Sequence, residues 1–473
     1  MEISFKTYEY QQDEVFHKAE YCYKGSCEMG WKIFRNDELI ESLGFGYVLI
    51  ESLYCGICST DIARAKLPFP LPQITGHEVI ALHEGKPVAV EINASHLARG
   101  IENFDCYYCE QEMGEHCPDR LTLGIDRLPG GFAPYLLVPQ NAIYALPESF
   151  DLAKSAIIEP FSAALHAVET SQIKNGMQVA IVGPKRLGLL LIFALSRYRK
   201  ASKLNFTISA VIRHDKLSET CMLFGADEVL SLDELGNREF DVVYDTSGSA
   251  SGFQLSMSVA KKTLHVKSTH GMEVGGFTQL TRLVIDELSL MPLMKKNLEN
   301  LKSTLLDKSK QVILLDAFIP EIIKNWIEDN FPNKRVVVVD LESIEDKEID
   351  QILPIERFQK FDVALVSSVD HLNKVMDFSD VGSLIRARGD IFWYSELAQA
   401  PLPWVKFFEN NLDLRTSRCG KFSHAIKLIA DNSRLFSEVI SDYISGCYEI
   451  NDINKAFDIA RSDKNCIKLL IKH

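Results

Sequence analysis

The order of apolar and polar positions divides the chain into two textures. Up to about residue 150, apolar residues come in short runs punctuated by glycine and proline. These are Tyr47-Val-Leu-Ile-Glu-Ser-Leu, Val79-Ile-Ala-Leu, Pro87-Val-Ala-Val-Glu-Ile, Tyr135-Leu-Leu-Val and Ala142-Ile-Tyr-Ala. Short strands at such close spacing predict a β-barrel or sandwich over 1–150. The turn-rich stretch 93–131 is expected to be a long loop with its own cysteine cluster. From residue 151 strands alternate with helices. Asp151 to Thr170 has helical spacing, Gln178-Val-Ala-Ile-Val-Gly reads as a buried strand, and Leu187 to Arg199 as an apolar helix. Thr207-Ile-Ser-Ala-Val-Ile, Asp241-Val-Val-Tyr-Asp and Thr263-Leu-His-Val-Lys are further strands, with a helix over Lys216 to Gly225. This alternation predicts an α/β unit with a parallel, doubly wound sheet over 151–290.

Residues 291–405 predict an additional α/β insertion. Gln311-Val-Ile-Leu-Leu-Asp, a helix over Pro320 to Phe331 and Arg335-Val-Val-Val-Val-Asp340 form a βαβ-like unit. Phe361-Asp-Val-Ala-Leu-Val-Ser-Ser then echoes Phe240-Asp-Val-Val-Tyr-Asp-Thr-Ser. Gly389-Asp-Ile-Phe-Trp-Tyr-Ser echoes Thr263-Leu-His-Val-Lys-Ser, and Leu412-Asp-Leu echoes Leu288-Ser-Leu. The offsets are 121, about 126 and 124 residues. Either this is a degenerate internal repeat, or buried strands merely look alike. No glycine-rich loop follows Asp316, so no phosphate-binding role is assigned there. Residues 406–473 are expected to end the second domain and return to the first, with Tyr448 to Leu469 reading as helix then strand.

Composition narrows the function. With 51 basic against 65 acidic residues the net charge is −14, which argues against a general nucleic-acid or anionic-membrane binder. Met1-Glu-Ile-Ser-Phe-Lys carries no basic-then-apolar signal pattern. The longest apolar run, Leu187 to Leu195, falls short of the ~20 residues a membrane span takes. A cytoplasmic protein is therefore expected. Of eleven cysteines, Cys106, Cys109 and Cys117 cluster tightly, a spacing that reads as metal before disulfide in a cytosolic chain.

The chemistry is carried by Cys55-Gly-Ile-Cys58-Ser-Thr-Asp61, Gly76-His77-Glu78 and Glu159-Pro160. Cys58, His77 and Glu159 offer a thiolate, an imidazole and a carboxylate, the ligand set of an open catalytic zinc site. Glu78 either binds the metal directly or supports a ligand from behind. Taken alone, Glu159 would read as a favourable charge at a helix start. Val182-Gly183-Pro184-Lys185-Arg186-Leu187-Gly188 stands at a strand-to-helix turn where a glycine-rich phosphate loop belongs, with Lys185 at the position of the middle glycine. That lysine either clashes with a pyrophosphate or swings its ammonium onto it; helix start and cation both favour an anion. After the second strand come Arg213-His214-Asp215. Arg213 suits a ribose 2′-phosphate, which favours NADP; Asp215 keeps NAD open. Thr246-Ser247-Gly248 and Ser268-Thr269 end the next two strands, on the side where such sheets bind ligands.

These motifs resemble the zinc-dependent medium-chain dehydrogenase/reductase superfamily, the alcohol, polyol and sugar dehydrogenases. The matching stretches are Gly56-Ile-Cys-Ser-Thr-Asp61, Gly76-His-Glu78, Gly130-Gly-Phe-Ala-Pro-Tyr135, Ile158-Glu-Pro160, Lys185-Arg-Leu-Gly-Leu-Leu190, Gly225-Ala-Asp227 and Ser417-Arg-Cys-Gly420, covering roughly 40–290 and 405–473. The resemblance implies a GroES-like β-barrel catalytic domain plus a Rossmann domain, with the active site in the cleft between them. It implies reversible alcohol–carbonyl oxidoreduction with Zn2+ and NADP or NAD, a small-molecule substrate, and a homodimer or homotetramer. Glu159 resembles the ligand of the sorbitol and glucose dehydrogenase branches. Thr60 would relay the proton, and Ser247, Gly248 and Ser268 would line the nicotinamide side. The family's relay histidine position is Ala63 here, so proton exit must differ. The family's four-cysteine structural zinc lobe keeps its last three ligands, Cys106, Cys109 and Cys117; the first falls at Asn103. Asp105 or His116 completes the set, or the lobe has lost its metal. The alternative function is a non-catalytic nucleotide-sensing or scaffolding descendant, suggested by the altered loop, by Asn103 and by the insertion. A zinc-free quinone-type reductase would not need Cys58, His77 and Glu159 together.

Overall fold

The computed structural model describes residues 1–213, 215–267, 273–295, 297–345, 348 and 360–473. The chain forms two compact units, 1–163 with 419–473 and 164–418. In the first, strands β1 to β4 (Glu2–Tyr10, Phe16–Ser26, Gly30–Arg35, Glu38–Leu43) make an antiparallel meander. A second sheet uses β5 (Tyr47–Gly56), β6 (Glu78–His83), β7 (Lys86–Val90), β11 (Tyr135–Pro139) and β12 (Ile143–Ala145). The loop region adds a small sheet of β8 (Asn93–Ala94), β9 (Leu121–Leu123) and β10 (Arg127–Leu128). The expected short strands are present, and β6, β7 and β11 are buried at consecutive positions.

The second unit carries one eleven-stranded sheet. Its strands are β13 (Gln178–Val182), β14 (Thr207–Ile212), β15 (Glu228–Ser231), β16 (Phe240–Asp245), β17 (Ala260–Val266), β18 (Ser289–Leu293), β19 (Val312–Asp316), β20 (Arg335–Val339), β21 (Phe361–Val366), β22 (Ile385–Tyr394) and β23 (Asp413–Thr416). The order is β15-β14-β13-β16-β17-β23-β18-β22-β21-β19-β20. Every neighbouring pair is parallel except β18 with β23. Strands β13, β16, β19 and β21 are buried along nearly their whole length because both faces are covered, as parallel sheets require. In β19, Val312 and Leu314 join one core and Ile313 and Leu315 the other. The latter core is closed by the helices Glu299–Leu306 and Glu321–Asn330. Residues 291–405 thus extend the sheet. Strand β15 carries one buried residue, Leu230, which is why its apolar signal is faint.

The end of the chain returns to the first unit. Strand β24 (Ile444–Glu449), a helix over Ile453–Ser462 and β25 (Lys468–Lys472) follow, so the stretch expected to begin as helix begins as strand. Strand β25 pairs antiparallel with β5, Ile471 opposite Cys55. The helix buries Ile453, Ala456, Phe457 and Ala460, and Phe457 packs its ring 4.6 Å from that of Phe16 and 5.8 Å from that of Phe132. Among the described residues, no helix is long and apolar enough to cross a membrane.

His265 in β17 gives the second unit a pH dependence. It is fully buried, with Nε2 2.9 Å from Ser417 Oγ and Nδ1 3.2 Å from Ser171 Oγ. Burial, aided by the Lys267 ammonium, holds its pKa well below the ordinary value. The unfolded chain therefore binds a proton that the folded chain refuses. That stability is fully present above the unfolded pKa and falls as pH drops below it. Urea unfolding is expected to weaken from about pH 7 to about pH 5, and His265→Gln to flatten that slope. An unchanged slope in the variant would contradict this assignment.

Candidate active site and metal centres

In the first unit, β5 delivers the chain to Cys58 and β6 begins at Glu78, one residue after His77. Ligand atoms of Cys58, His77 and Glu78 lie within 4.8 Å of one another. Asp61 shapes this arrangement: its Oδ2 accepts the Cys58 amide at 2.8 Å and its Oδ1 the Gly76 amide at 3.1 Å. The same carboxylate lies 3.6 Å from His77 Nδ1. Burial disfavours charge on His77, but Asp61 and Cys58 outweigh it and hold the imidazole well above its ordinary pKa. Thr60 Oγ1 stands 3.7 Å from Cys58 Sγ. The two cysteines of the Cys-x-x-Cys differ. Cys55 is fully buried, and burial, with Asp61 and Glu78 nearby, pushes its thiol well up. Cys58 is half-buried.

Glu78 is fully buried and forms an ion pair with Lys468, the first residue of β25. Lys468 also donates to the Ile57 carbonyl at 3.1 Å. Burial works against the ammonium, yet the Glu78 carboxylate reverses this and raises the Lys468 pKa. Gly56 is needed at the end of β5, because a Cβ there would sit 1.9 Å from Glu78 Oε2. Glu159 lies in the first turn of the helix Ile158–Thr170 and is half-buried. It is not among the ligand atoms gathered within 4.8 Å around Cys58 and His77. The sequence-derived set of Cys58, His77 and Glu159 is therefore brought together only in part. Lys468 was missed; its signal was a lysine opening an otherwise apolar run.

The loop region holds a second cluster, of His96, Cys106, Cys109 and Cys117. His96 Nδ1 lies 3.7 Å from Cys109 Sγ and 3.6 Å from Cys117 Sγ, and Cys106 Sγ is 3.9 Å from Cys117 Sγ. Zinc bonds of about 2.3 Å to sulfur and about 2.05 Å to nitrogen, tetrahedrally arranged, put ligand atoms about 3.6–3.8 Å apart. These four side chains could thus hold a zinc ion with little movement. Cys109 donates to Cys117 and holds the latter's pKa below the ordinary thiol value, while Cys109 itself is raised. The other nitrogen of His96 lies 3.4 Å from Asp119, as an imidazole ligand oriented by a carboxylate would. Asn103 and Asp105 are exposed, and His116 lies outside this cluster. The fourth partner comes from ten residues upstream of Cys106, on the short helix His96–Arg99.

In the second unit, the loop Gly183-Pro-Lys-Arg connects β13 to the helix Arg186–Ser202. Gly183 has φ of 71°, and a Cβ on it would lie 2.7 Å from the Ser247 Cα. Thr246 Oγ1 donates toward the carbonyls of Val182 and Gly183 at 3.0 and 3.1 Å, tying β16 to the loop. Lys185 precedes the helix and Arg186 begins it, so two cations stand where the helix dipole already favours an anion. Leu187 is half-buried and Gly188 buried in that helix. The buried Asp245 accepts from Ser247 N at 2.9 Å and Oγ at 2.6 Å, with Gly248 next in the turn. Arg213 follows β14, is exposed, and reaches Ser251 Oγ at 3.4 Å. His214 and Ser268 lie outside the described residues.

Residues 44–148 match the alcohol dehydrogenase GroES-like domain family. The chain is 28% identical to an L-threonine 3-dehydrogenase of Pectobacterium carotovorum over 242 residues, covering 47% of this chain and 68% of that protein. It is 24% identical to a sorbitol dehydrogenase of Bacillus subtilis over 242 residues, covering 46% of this chain and 65% of that protein. The matched stretch thus spans about two thirds of these relatives' length. Among solved structures, L-idonate 5-dehydrogenase from Escherichia coli aligns with a TM-score of 0.57 at 14% identity, over 100% of this chain and 99% of that one. At that identity the likeness is one of fold.

Two outcomes follow from this geometry. Lys468→Met leaves the Glu78 carboxylate buried without its cation and is expected to cost about 3–5 kcal/mol. Denaturant unfolding should show this, and adding Glu78→Gln should recover most of it; a cost below about 1 kcal/mol for the single variant would count against the pair. His96→Ala is expected to leave Cys106, Cys109 and Cys117 reactive toward a thiol reagent in the folded protein, whereas Asn103→Ala behaves as wild type. Equal reactivity of the two variants would remove His96 from the cluster.

Proposed function

We propose that the chain is a zinc-dependent medium-chain dehydrogenase/reductase that interconverts an alcohol, of polyol or sugar type, and a carbonyl compound with NADP or NAD, a reading supported by the match of residues 44–148 to the alcohol dehydrogenase GroES-like domain family. The carrying observation is the convergence of Cys58, His77 and Glu78 on one point, with Thr60 beside the thiol. Zinc held by Cys58 and His77, with Glu159 or Glu78 as the carboxylate, would supply Lewis acidity toward the substrate oxygen, and the nicotinamide would accept or donate the hydride.

The chain's own residues do the rest. Asp61 fixes the Cys58 and Gly76 amides and so sets the spacing of thiol and imidazole. The Thr60 hydroxyl, 3.7 Å from Cys58 Sγ, is read as the group that takes the proton of a bound alcohol or returns it. Glu78, already neutralised by Lys468, is better suited to support the site than to add a third full charge to it. In the second unit, Gly183, Gly188 and the cations Lys185 and Arg186 are read as the cradle of the dinucleotide phosphates, with Leu187 against it. Arg213 is read as the partner of the ribose 2′-phosphate, and Ser247 and Gly248 as the nicotinamide side. The Cys106, Cys109, Cys117 and His96 cluster is read as a structural zinc site, which adds folding energy directly.

Cys58→Ser and His77→Ala are each expected to abolish alcohol oxidation while NADPH binding, followed by fluorescence, stays at the wild-type level. Full turnover in either variant would sink the reading, and so would the absence of nucleotide binding in the wild-type protein.

A further inference from the structure

The eleven-stranded sheet is built twice over. Counting outward from the antiparallel contact of β23 with β18, one side runs β23, β17, β16, β13, β14 and the other β18, β22, β21, β19, β20. Leaving the two innermost strands aside, the next four on each side come in the same chain order, and β15 at the outer edge of the first side has no counterpart among the described strands. Local detail repeats with the topology. Strands β16 and β21 begin with Phe240-Asp241 and Phe361-Asp362, and each shows a register shift between its first and third residues. Asp241 accepts the amide of Gln178 at the start of β13, and Asp362 accepts those of Gln311 and Val312 at the start of β19. Asp241 pairs with Lys262 and Asp362 with Arg386. Serines 249 and 368 cap the helices that follow. Independent buried strands do not repeat capping carboxylates, register shifts and helix caps together.

The final strands are exchanged. Strand β18 follows β17 in sequence but lies beside β22; β23 follows β22 but lies beside β17. Neither half completes its sheet without the other.

The two crevices differ in charge. The first has Gly183, Lys185 and Arg186 between β13 and its helix. The second runs Asp316-Ala-Phe-Ile-Pro-Glu321, without glycine, and Glu321 stands in the first turn of the helix. The buried Asp316 carboxylate accepts the Phe318 amide at 3.2 Å, the Ser367 amide at 2.9 Å, the Ser367 hydroxyl at 2.5 Å and the His371 Nδ1 proton at 2.7 Å. These four donors at the end of β19 are taken by the protein's own anion, which also repels an incoming phosphate.

We propose that strands β19 to β23 are an internal copy of β13, β14, β16, β17 and β18, closed to nucleotides by Asp316, with the last strands of the two copies exchanged. It serves as a built-in, strand-exchanged sheet partner, so the chain carries one dinucleotide site per eleven strands. The site count rests on the nucleotide reading of the first half; the exchange does not. Isothermal titration of the full chain with NADPH and with NADH is expected to give one site per chain, lost in Gly183→Val and in the milder Lys185→Glu. Two sites, or one site that survives both variants, would overturn this inference and leave the dehydrogenase reading standing; no binding at all would overturn both the site count and that reading. Hydrogen exchange of the full chain in mild denaturant is expected to show peptides from β13–β16 and β19–β21 losing protection at one shared midpoint. Two separate midpoints would overturn the exchange.

Discussion

The buried ion pair between Lys468 and Glu78 is the constraint on which the candidate active site depends. It joins the last strand of the chain to the strand that begins beside His77, and it lies in full burial. A pair of this kind adds little net stability, because desolvation of two ions offsets most of their attraction. What it fixes is position. The Glu78 carboxylate is held in the space that Gly56 leaves open, and Ile57, the residue after the end of β5's pairing with β25, accepts from the same ammonium. Cys58 follows directly. Asp61 then sets its amide against that of Gly76. The spacing of thiol and imidazole is therefore decided by groups that would never touch a substrate.

The site was legible where local spacing carries the chemistry. Cys58 and His77 stand in short motifs whose neighbours, Asp61, Gly76 and Glu78, make the very hydrogen bonds and contacts that bring them together. Partners supplied from a distance were not legible. His96 precedes its cysteines by ten residues, in a loop where no periodicity links the two, and Asn103 drew attention by spacing alone. Lys468 stands 390 residues from Glu78. Glu159 follows from motif order, and the group gathered within 4.8 Å contains Cys58, His77 and Glu78.

The fold divides in the same way. Short apolar runs marked strands from Tyr47 onward, though not β1 to β4 before it, and the parallel sheet followed from the alternation of strands with helices. The echoes between Phe240 and Phe361, and between Leu288 and Leu412, were visible as text. That the strands beginning just after Leu288 and Leu412 lie next to each other's half is a matter of pairing between distant segments, which residue patterns do not encode. Strand β15, with a single buried leucine, shows the opposite failure, a real element with too little apolar signal to announce itself.

The proposed reading assigns catalytic metal to Cys58 and His77 and structural metal to His96, Cys106, Cys109 and Cys117. Metal quantitation on the purified wild-type chain tests it most directly. The account predicts about two zinc ions per chain, one for each ligand cluster. A chain that is folded, binds NADPH and contains no zinc would contradict it.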